Sequence, residues 1–310
     1  MRQEWIKTLI EQARIKPNLY LLAGDVGYGL VEPFAQEFPD RFINCGIAEQ
    51  NMIGVATGLA MSGKTVFVYS LANFPTFRCL EQIRNDVCYH HANVKIVCSG
   101  GGLSYGSLGM THHTIQDLAI MRCLPNMTIV VPCDGVETTF ATKAIINKEG
   151  ACYLRLERDD EPVVHEPRFE YELGKAIKTI GSDITLIAIG GIVNNAIEAS
   201  KILEHEGISV SVLDMHTLKP LDVMAIRETA IKTKHILTVE EHSIIGGLGS
   251  ATAEVLVTLG LQVRFRRLGI EDCFCSEVGD QIYLRERCGL SVDNIAESAK
   301  ILLRRPTRGI

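Results

Sequence analysis

The sequence predicts an α/β protein of two doubly wound domains in one chain of 310 residues. Short β-branched apolar runs alternate with amphipathic stretches, the pattern that makes parallel sheets covered by helices. The alternation breaks once, at the charged, proline-bearing stretch from Arg158-Asp159-Asp160-Glu161-Pro162 to His165-Glu166-Pro167, and then resumes. The length also suits two domains, each with its own core. The expected division is a first domain over 1–162, a linker over 163–170 and a second domain over 171–310.

In order, Trp5, Ile6, Leu9, Ile10 and Ala13 recur at helical spacing and predict a helix over 5–14. Leu19-Tyr20-Leu21-Leu22-Ala23 reads as a buried strand, and 41–45 as a second strand-like run. A small-residue helix over 51–61 follows, then a β-branched strand over 65–69 and a helix over 77–90. Residues 95–98 form a strand that runs into Ser99-Gly100-Gly101-Gly102. A helix over 115–123, a strand over 128–131, a helix over 135–147 and a strand over 151–156 complete the first unit. The second unit has strands over 184–189, 210–214, 235–239 and 262–266, with helices over 193–206, 222–231 and 248–259. Active groups in such folds sit at the carboxyl ends of the strands.

Apolar residues make up 46% and charged residues 22%, a globular balance without extended disorder. A net charge of -6 with no basic stripe argues against nucleic acid as a partner. No apolar run is long enough to span a membrane, and the first seven residues lack an apolar signal segment. The ten cysteines are scattered, no CxxC pair occurs, and Cys273-x-Cys275 has no second ligand pair, so no metal site is read from spacing. The expectation is a reduced, cytoplasmic protein that does not engage membranes.

Four groups carry candidate chemistry. Glu49 stands between a strand and a helix, with no Lys or Arg between Arg41 and Lys64. A carboxyl among apolar neighbours binds its proton more tightly and can share it with a bound base; alternatively it is a helix-N-terminal acid favoured by the macrodipole. Phe74 and Phe77 flank a turn after a buried strand and serve either as core or as a cofactor platform. His112 and His113 end the glycine-rich loop from Gly106, as a proton shuttle or as surface imidazoles. Arg155 and Arg158 offer guanidiniums at a strand end, for a phosphate or carboxylate or for an ion pair with Asp159 or Asp160. Gly190-Gly191 and Gly246-Gly247-Leu248-Gly249 open helices without the full phosphate-loop patterns and read as tight turns. Glu240-Glu241-His242 resembles a metal cluster only superficially.

These segments, in their order, resemble the C-terminal half of transketolase over nearly the whole chain. The resemblance rests on Phe38-Pro39-Asp40-Arg41-Phe42 with Gly46-Ile47-Ala48-Glu49-Gln50-Asn51-Met52, on Glu81-Gln82-Ile83-Arg84-Asn85 and on Leu124-Pro125-Asn126-Met127. Val212-Leu213-Asp214-Met215 with Lys219-Pro220-Leu221, and Val239-Glu240-Glu241-His242 with Gly246-Gly247-Leu248-Gly249, complete it. It implies a pyrimidine-binding domain followed by a transketolase C-terminal domain, and thiamine diphosphate as cofactor. Glu49 falls on the family's activating glutamate, which hydrogen-bonds N1′ of the aminopyrimidine and favours its imino tautomer. Phe74 and Phe77 match aromatics that pack on the pyrimidine, Asp25 matches a cofactor-proximal acid, and Val26 the residue that holds the bent cofactor.

The family binds magnesium and the diphosphate through Gly-Asp-Gly and a later Asn, and Gly24-Asp25-Val26 is not that motif. The resemblance therefore implies a split enzyme, of which this chain is the second half. A diphosphate-binding partner chain carries the diphosphate and Mg2+ ligands, and the assembly is α2β2. His112 matches a histidine that contacts donor oxygens, with His113 beside it; Arg158 and Arg2 match phosphate-binding positions, and Arg78 an arginine of the deoxyxylulose-phosphate synthase branch. Gly29, Gly100 and Leu108 stand where the family has polar substrate contacts. At about 1 kcal/mol per lost hydrogen bond, recognition of an ordinary aldose phosphate weakens, which favours a specialised sugar acceptor. The implied reaction is transfer of a two-carbon ketol unit from a ketose to an aldehyde. The alternatives are a decarboxylating enzyme, such as the β chain of a 2-oxoacid dehydrogenase or a deoxyxylulose-phosphate-synthase-like protein, and a non-catalytic scaffold.

Overall fold

The computed structural model describes residues 1–158 and 161–304. Asp159 and Asp160, offered above as ion-pair partners, and residues 305–310 of the expected second domain lie outside the described residues.

The strands in chain order are β1 (Leu19–Ala23), β2 (Phe42–Asn44), β3 (Thr65–Leu71), β4 (Val94–Ser99), β5 (Thr128–Val130), β6 (Cys152–Leu156), β7 (Ile177–Lys178), β8 (Ile184–Ile189), β9 (Val210–Asp214), β10 (Thr217–Lys219), β11 (His235–Ser243) and β12 (Arg264–Ile270). They build a 7-stranded sheet, β10-β5-β6-β4-β3-β1-β2, and a 5-stranded sheet, β12-β11-β8-β9-β7. Among these strands only β10 and β7 run antiparallel to their neighbours. The helices are α1 (Arg2–Ile15), α2 (Glu32–Glu37), α3 (Glu49–Met61), α4 (Asn73–Arg78), α5 (Leu80–Gln82), α6 (Asp117–Cys123), α7 (Gly135–Asn147), α8 (Ile192–His205), α9 (Val223–Thr233), α10 (Leu248–Thr258), α11 (Gln281–Arg287) and α12 (Val292–Leu303). Two parallel-dominated α/β sheets are what the alternating pattern predicted.

β4 is buried along its whole length, as a central parallel strand covered on both faces must be. Its one charge, Lys95, keeps hydrogen-bond partners by donating to the carbonyls of Lys148 at 2.5 Å and Gly150 at 2.7 Å. α7 begins where Asp134 accepts the Glu137 N–H at 2.7 Å, an N-cap that satisfies an otherwise unpaired helical donor.

Several local expectations change. The helix expected over 77–90 starts at Asn73 and is interrupted at Cys79, whose φ of -111° and ψ of 15° are not helical; it resumes with α5 and a π-turn over Ile83–Cys88. The run 41–45 narrows to Phe42–Asn44, and α3 starts at Glu49 itself. β11 continues to Ser243, and β12 lies at Arg264–Ile270 rather than over 262–266. β7 and β10, at two and three residues, are too short to show a period.

The larger correction concerns the core. Ile129 of β5 and Val131 just after it share one buried cluster with Ile187, Leu213, Met215 and Leu218 from the second part of the chain. The cause is β10, which pairs with β5 and carries the chain after β9 onto the edge of the first sheet. One buried cluster is thus shared between the two parts of the chain, beside a second built mainly from residues from Ile184 onward and a third built from residues up to Leu156.

Candidate active site

The candidate residues follow strand ends along one edge of the first sheet. Asp25 and Val26 follow β1, Glu49 follows β2, Phe74 to Arg78 follow β3, the His112 loop follows β4 and Arg158 follows β6. β2 and β3 lie on opposite sides of β1, so the strand order reverses there and opens the crevice in which such sheets bind ligands.

Glu49 is the first residue of α3 and is 3% exposed. Its Oε2 accepts a hydrogen bond from Arg78 Nη1 at 3.0 Å, and the Arg78 side chain is 51% exposed. This corrects the apolar surroundings inferred for Glu49: the cation comes from α4, 29 positions along the chain. The Arg78 guanidinium also lies 4.6 Å from the centroid of Phe74, within cation–π distance. Phe74 meets His112 edge to face with centroids 5.9 Å apart, whereas Phe77 is 45% exposed.

The histidines differ. His112 is partly buried, with Nδ1 3.0 Å from Thr111 Oγ1. His113 is 3% exposed, and neither ring nitrogen has a hydrogen-bond partner among the described residues. Burial lowers its pKa from the ordinary value; the Gly106 backbone offsets part of this and His112 adds to it. Asn73, which the motifs did not single out, ties the loop to α4 by donating to the Thr111 carbonyl and accepting from the Thr114 hydroxyl. His113, Phe74, Phe77 and Arg78 line a cavity of about 800 Å³ with Phe274 and Cys275. The last two come from a far later part of the chain, and no sequence signal links them to this edge.

Asp25 takes a left-handed backbone, φ 56°, which Asp tolerates better than most residues. It exchanges two hydrogen bonds with Asn44, at 3.0 and 3.2 Å. Val26 is partly buried against the core next to α1. Arg2 and Arg158 meet at one ring: Arg2 Nη1 donates to the Tyr105 hydroxyl at 3.3 Å, and Arg158 lies 5.7 Å from the ring centroid. Arg155, by contrast, is 1% exposed, 3.4 Å from Asp117, and donates to the Glu241 carbonyl at 2.9 Å. It is a buried structural cation rather than a ligand-binding one.

A polar seam holds the loop that leads to His112. Arg285 bonds Glu157 at 3.0 Å and Glu161 at 3.3 Å and pairs closely with Glu241, which also accepts the Leu103 N–H. Burial, followed by the neighbouring Glu157, pushes the Glu161 carboxyl up to about 10. At Gly102, with φ +62°, a Cβ would stand 2.3 Å from Glu241 Oε1, so only glycine fits. Glu240 occupies the α10 N-terminus by accepting from the Leu248 and Gly249 N–H groups at 2.7 and 2.8 Å. The Gly246-Gly247-Leu248-Gly249 turn therefore presents its amides to a side chain of its own.

The observed residues suit an aminopyrimidine cofactor: a buried carboxylate, an aromatic wall, and an orphaned imidazole facing a cavity within the usual range for ligand sites. The comparisons point the same way. The family model of the transketolase pyrimidine-binding domain matches residues 1–162, and that of the transketolase C-terminal domain matches residues 174–295. A putative transketolase C-terminal section of Methanocaldococcus jannaschii is 41% identical over 301 residues, covering 96% of this chain and 94% of that one. An apulose-4-phosphate transketolase subunit from Phocaeicola vulgatus is 43% identical over 274 residues, 87% of each chain. A solved split-gene transketolase, described as an inactive β4 tetramer, matches with a TM-score of 0.89 at 38% identity over 97% of each chain. The chain belongs to the transketolase family, as its pyrimidine-binding domain followed by its C-terminal domain.

Proposed function

We propose that the chain is the second subunit of a split transketolase that moves a two-carbon ketol unit from a ketose donor to a specialised sugar aldehyde. The observation that carries this is Glu49, held at the start of α3 beside the aromatic cavity in a chain of this family. Thiamine diphosphate, when bound, supplies the carbon nucleophile that accepts and releases the ketol fragment. Glu49 holds and returns a proton at the pyrimidine N1′. Phe74 and Phe77 would give the ring an apolar wall, and Asp25 and Val26, which line a separate cavity after β1, would border the cofactor from that side. His112 exchanges protons with sugar hydroxyls, with His113 behind it. Arg158 and Arg2, gathered on Tyr105, take the sugar phosphate. Arg78, half in water, can turn from Glu49 to the substrate.

A partner chain supplies the diphosphate and Mg2+ ligands, because the Gly-Asp-Gly motif is missing here. Supporting this, exposed Phe77, Met110 and Phe274 line one cavity, and exposed Val278 stands against Gly109 beside it. Such a contiguous apolar face marks an interface. The β4 relative is described as inactive, and the Phocaeicola relative as one subunit of an apulose-4-phosphate transketolase. The first favours self-association and the second an uncommon sugar substrate, and both favour a companion chain. Among the described residues no helix is long and apolar enough to cross a membrane.

The test combines the chain, the diphosphate-domain chain, cofactor and Mg2+ with a ketose phosphate and a panel of aldehydes. A ketose two carbons longer than one of the aldehydes is the expected product. Cofactor binding without product from any aldehyde contradicts ketol transfer, and CO2 release from pyruvate would instead favour the decarboxylating reading.

A further inference from the structure

Four separate segments meet where the two sheets join. Cys133 and Glu137 flank the N-cap of α7, His165 lies in the stretch between the sheets, and Asp214 ends β9. One donor atom from each lies within 4.8 Å of all the others. Asp134, at the same place, is satisfied by backbone: its oxygens accept the N–H groups of Glu137, Val164 and His165 at 2.7, 2.7 and 2.8 Å. Its neighbours are not. Glu137 accepts the Cys133 N–H on Oε2 at 2.7 Å, and its Oε1 has no partner among the described residues, although the residue is 0% exposed. Asp214 is 3% exposed; Oδ2 meets His165 Nε2 at 2.8 Å, and Oδ1 is likewise orphaned.

We propose that Cys133, Glu137, His165 and Asp214 form a closed four-ligand site for a structural divalent transition metal, with zinc the ion that fits best. A thiolate and an imidazole favour zinc-like ions over magnesium or calcium. Four protein donors leave no open position, which marks a structural rather than a catalytic site. Ligands at zinc distances lie about 3.3–3.8 Å apart in a tetrahedron, so the widest pair, within 4.8 Å, closes by about 1.5 Å at most, and Asp214 ligates through Oδ1 or the 2.8 Å His165–Asp214 bond opens. The Cys133 proton leaves to solvent, and the two orphaned carboxylate oxygens acquire a partner. The ion would clamp α7, the connecting stretch and β9 together. Beyond Cys133 and Glu137, four residues apart, the donors come from distant positions, so no sequence spacing announces the full site.

The test is metal content and thermal stability of the intact chain, purified from zinc-replete medium. One zinc per chain is expected, with a Tm lowered by chelator and restored by added zinc. Replacing zinc with Co2+ should give a sulfur-to-cobalt charge-transfer band that Cys133→Ser removes and Cys123→Ser, at an exposed thiol, leaves. His165→Gln should weaken zinc binding by more than about tenfold. A metal-free chain whose Tm responds to neither zinc nor chelator overturns the proposal, as does a cobalt band that survives Cys133→Ser. If the variants do not fold, the chelator and add-back result on the parent chain still decides.

Discussion

Replacing Glu49 with Gln exchanges one oxygen for an amide nitrogen and leaves the shape of the site intact, so it separates proton chemistry from packing. The stability cost is small. Arg78, the ion-pair partner, is half in water, and such pairs contribute about 0–1 kcal/mol; the Gln amide oxygen can still accept from Arg78 Nη1. The catalytic cost is large, because a positioned acid–base group contributes about 10²–10⁴ in rate, or roughly 3–5 kcal/mol of barrier. The assay is turnover of the reconstituted complex at saturating cofactor and donor, with Tm measured on the same preparation. The expected outcome is a Tm within a few degrees of the parent (about 2–4 °C per kcal/mol) and turnover lower by at least about a hundredfold. Retention of more than about a tenth of parental turnover would refute the proton role. A collapse in Tm would instead make Glu49 a structural residue.

Other outcomes follow from the seam and the phosphate edge. Arg285→Met leaves Glu157, Glu161 and Glu241 buried without their cation and should cost about 3–5 kcal/mol, read from the urea midpoint. His242 is fully buried, and burial, opposed by Asp117, lowers its pKa to about 4. Between about pH 6.5 and 4 the unfolded chain takes up a proton there that the folded chain resists, so this contribution to stability falls on acidification. Burial pushes the nearby Glu240 up to about 7, which works in the opposite sense between about 4.5 and 7. His242→Gln removes the first effect only, so its stability relative to the parent should improve from pH 6.5 to 4, by up to about 3 kcal/mol. Arg158→Ala should raise KM for a phosphorylated donor by about tenfold or more with little change in kcat; an equal loss with an unphosphorylated donor would remove the phosphate role.

Much of the fold was legible because the central strands are continuous apolar runs whose length and flanks leave little ambiguity, as with β3 and β4. What escaped was non-local or short. β10 is three residues that become a strand only because β5 offers an unpaired edge. Glu49 was readable from its motif, but its pairing with Arg78 was not, since nothing in residues 41–64 announces a cation from the next helix. The two histidines were read as one pair, whereas burial makes them unlike: His113 is enclosed without a hydrogen-bond partner among the described residues, while His112 keeps Thr111 and the edge of Phe74. Arg155 stood between a ligand-binding and an ion-pairing role because sequence does not reveal burial, and its partners, Asp117 and the Glu241 carbonyl rather than Asp159 or Asp160, come from distant segments.

The central claim is that this chain supplies the proton-handling half of an active site completed by another chain. Its most direct test is a titration of the diphosphate-domain chain into a fixed amount of this one, with thiamine diphosphate, Mg2+, a ketose phosphate and an acceptor aldehyde. Ketol transfer should be absent for either chain alone, appear on mixing and saturate at equimolar amounts. Turnover by this chain alone, or a mixed complex that binds the cofactor yet transfers nothing, would contradict the account.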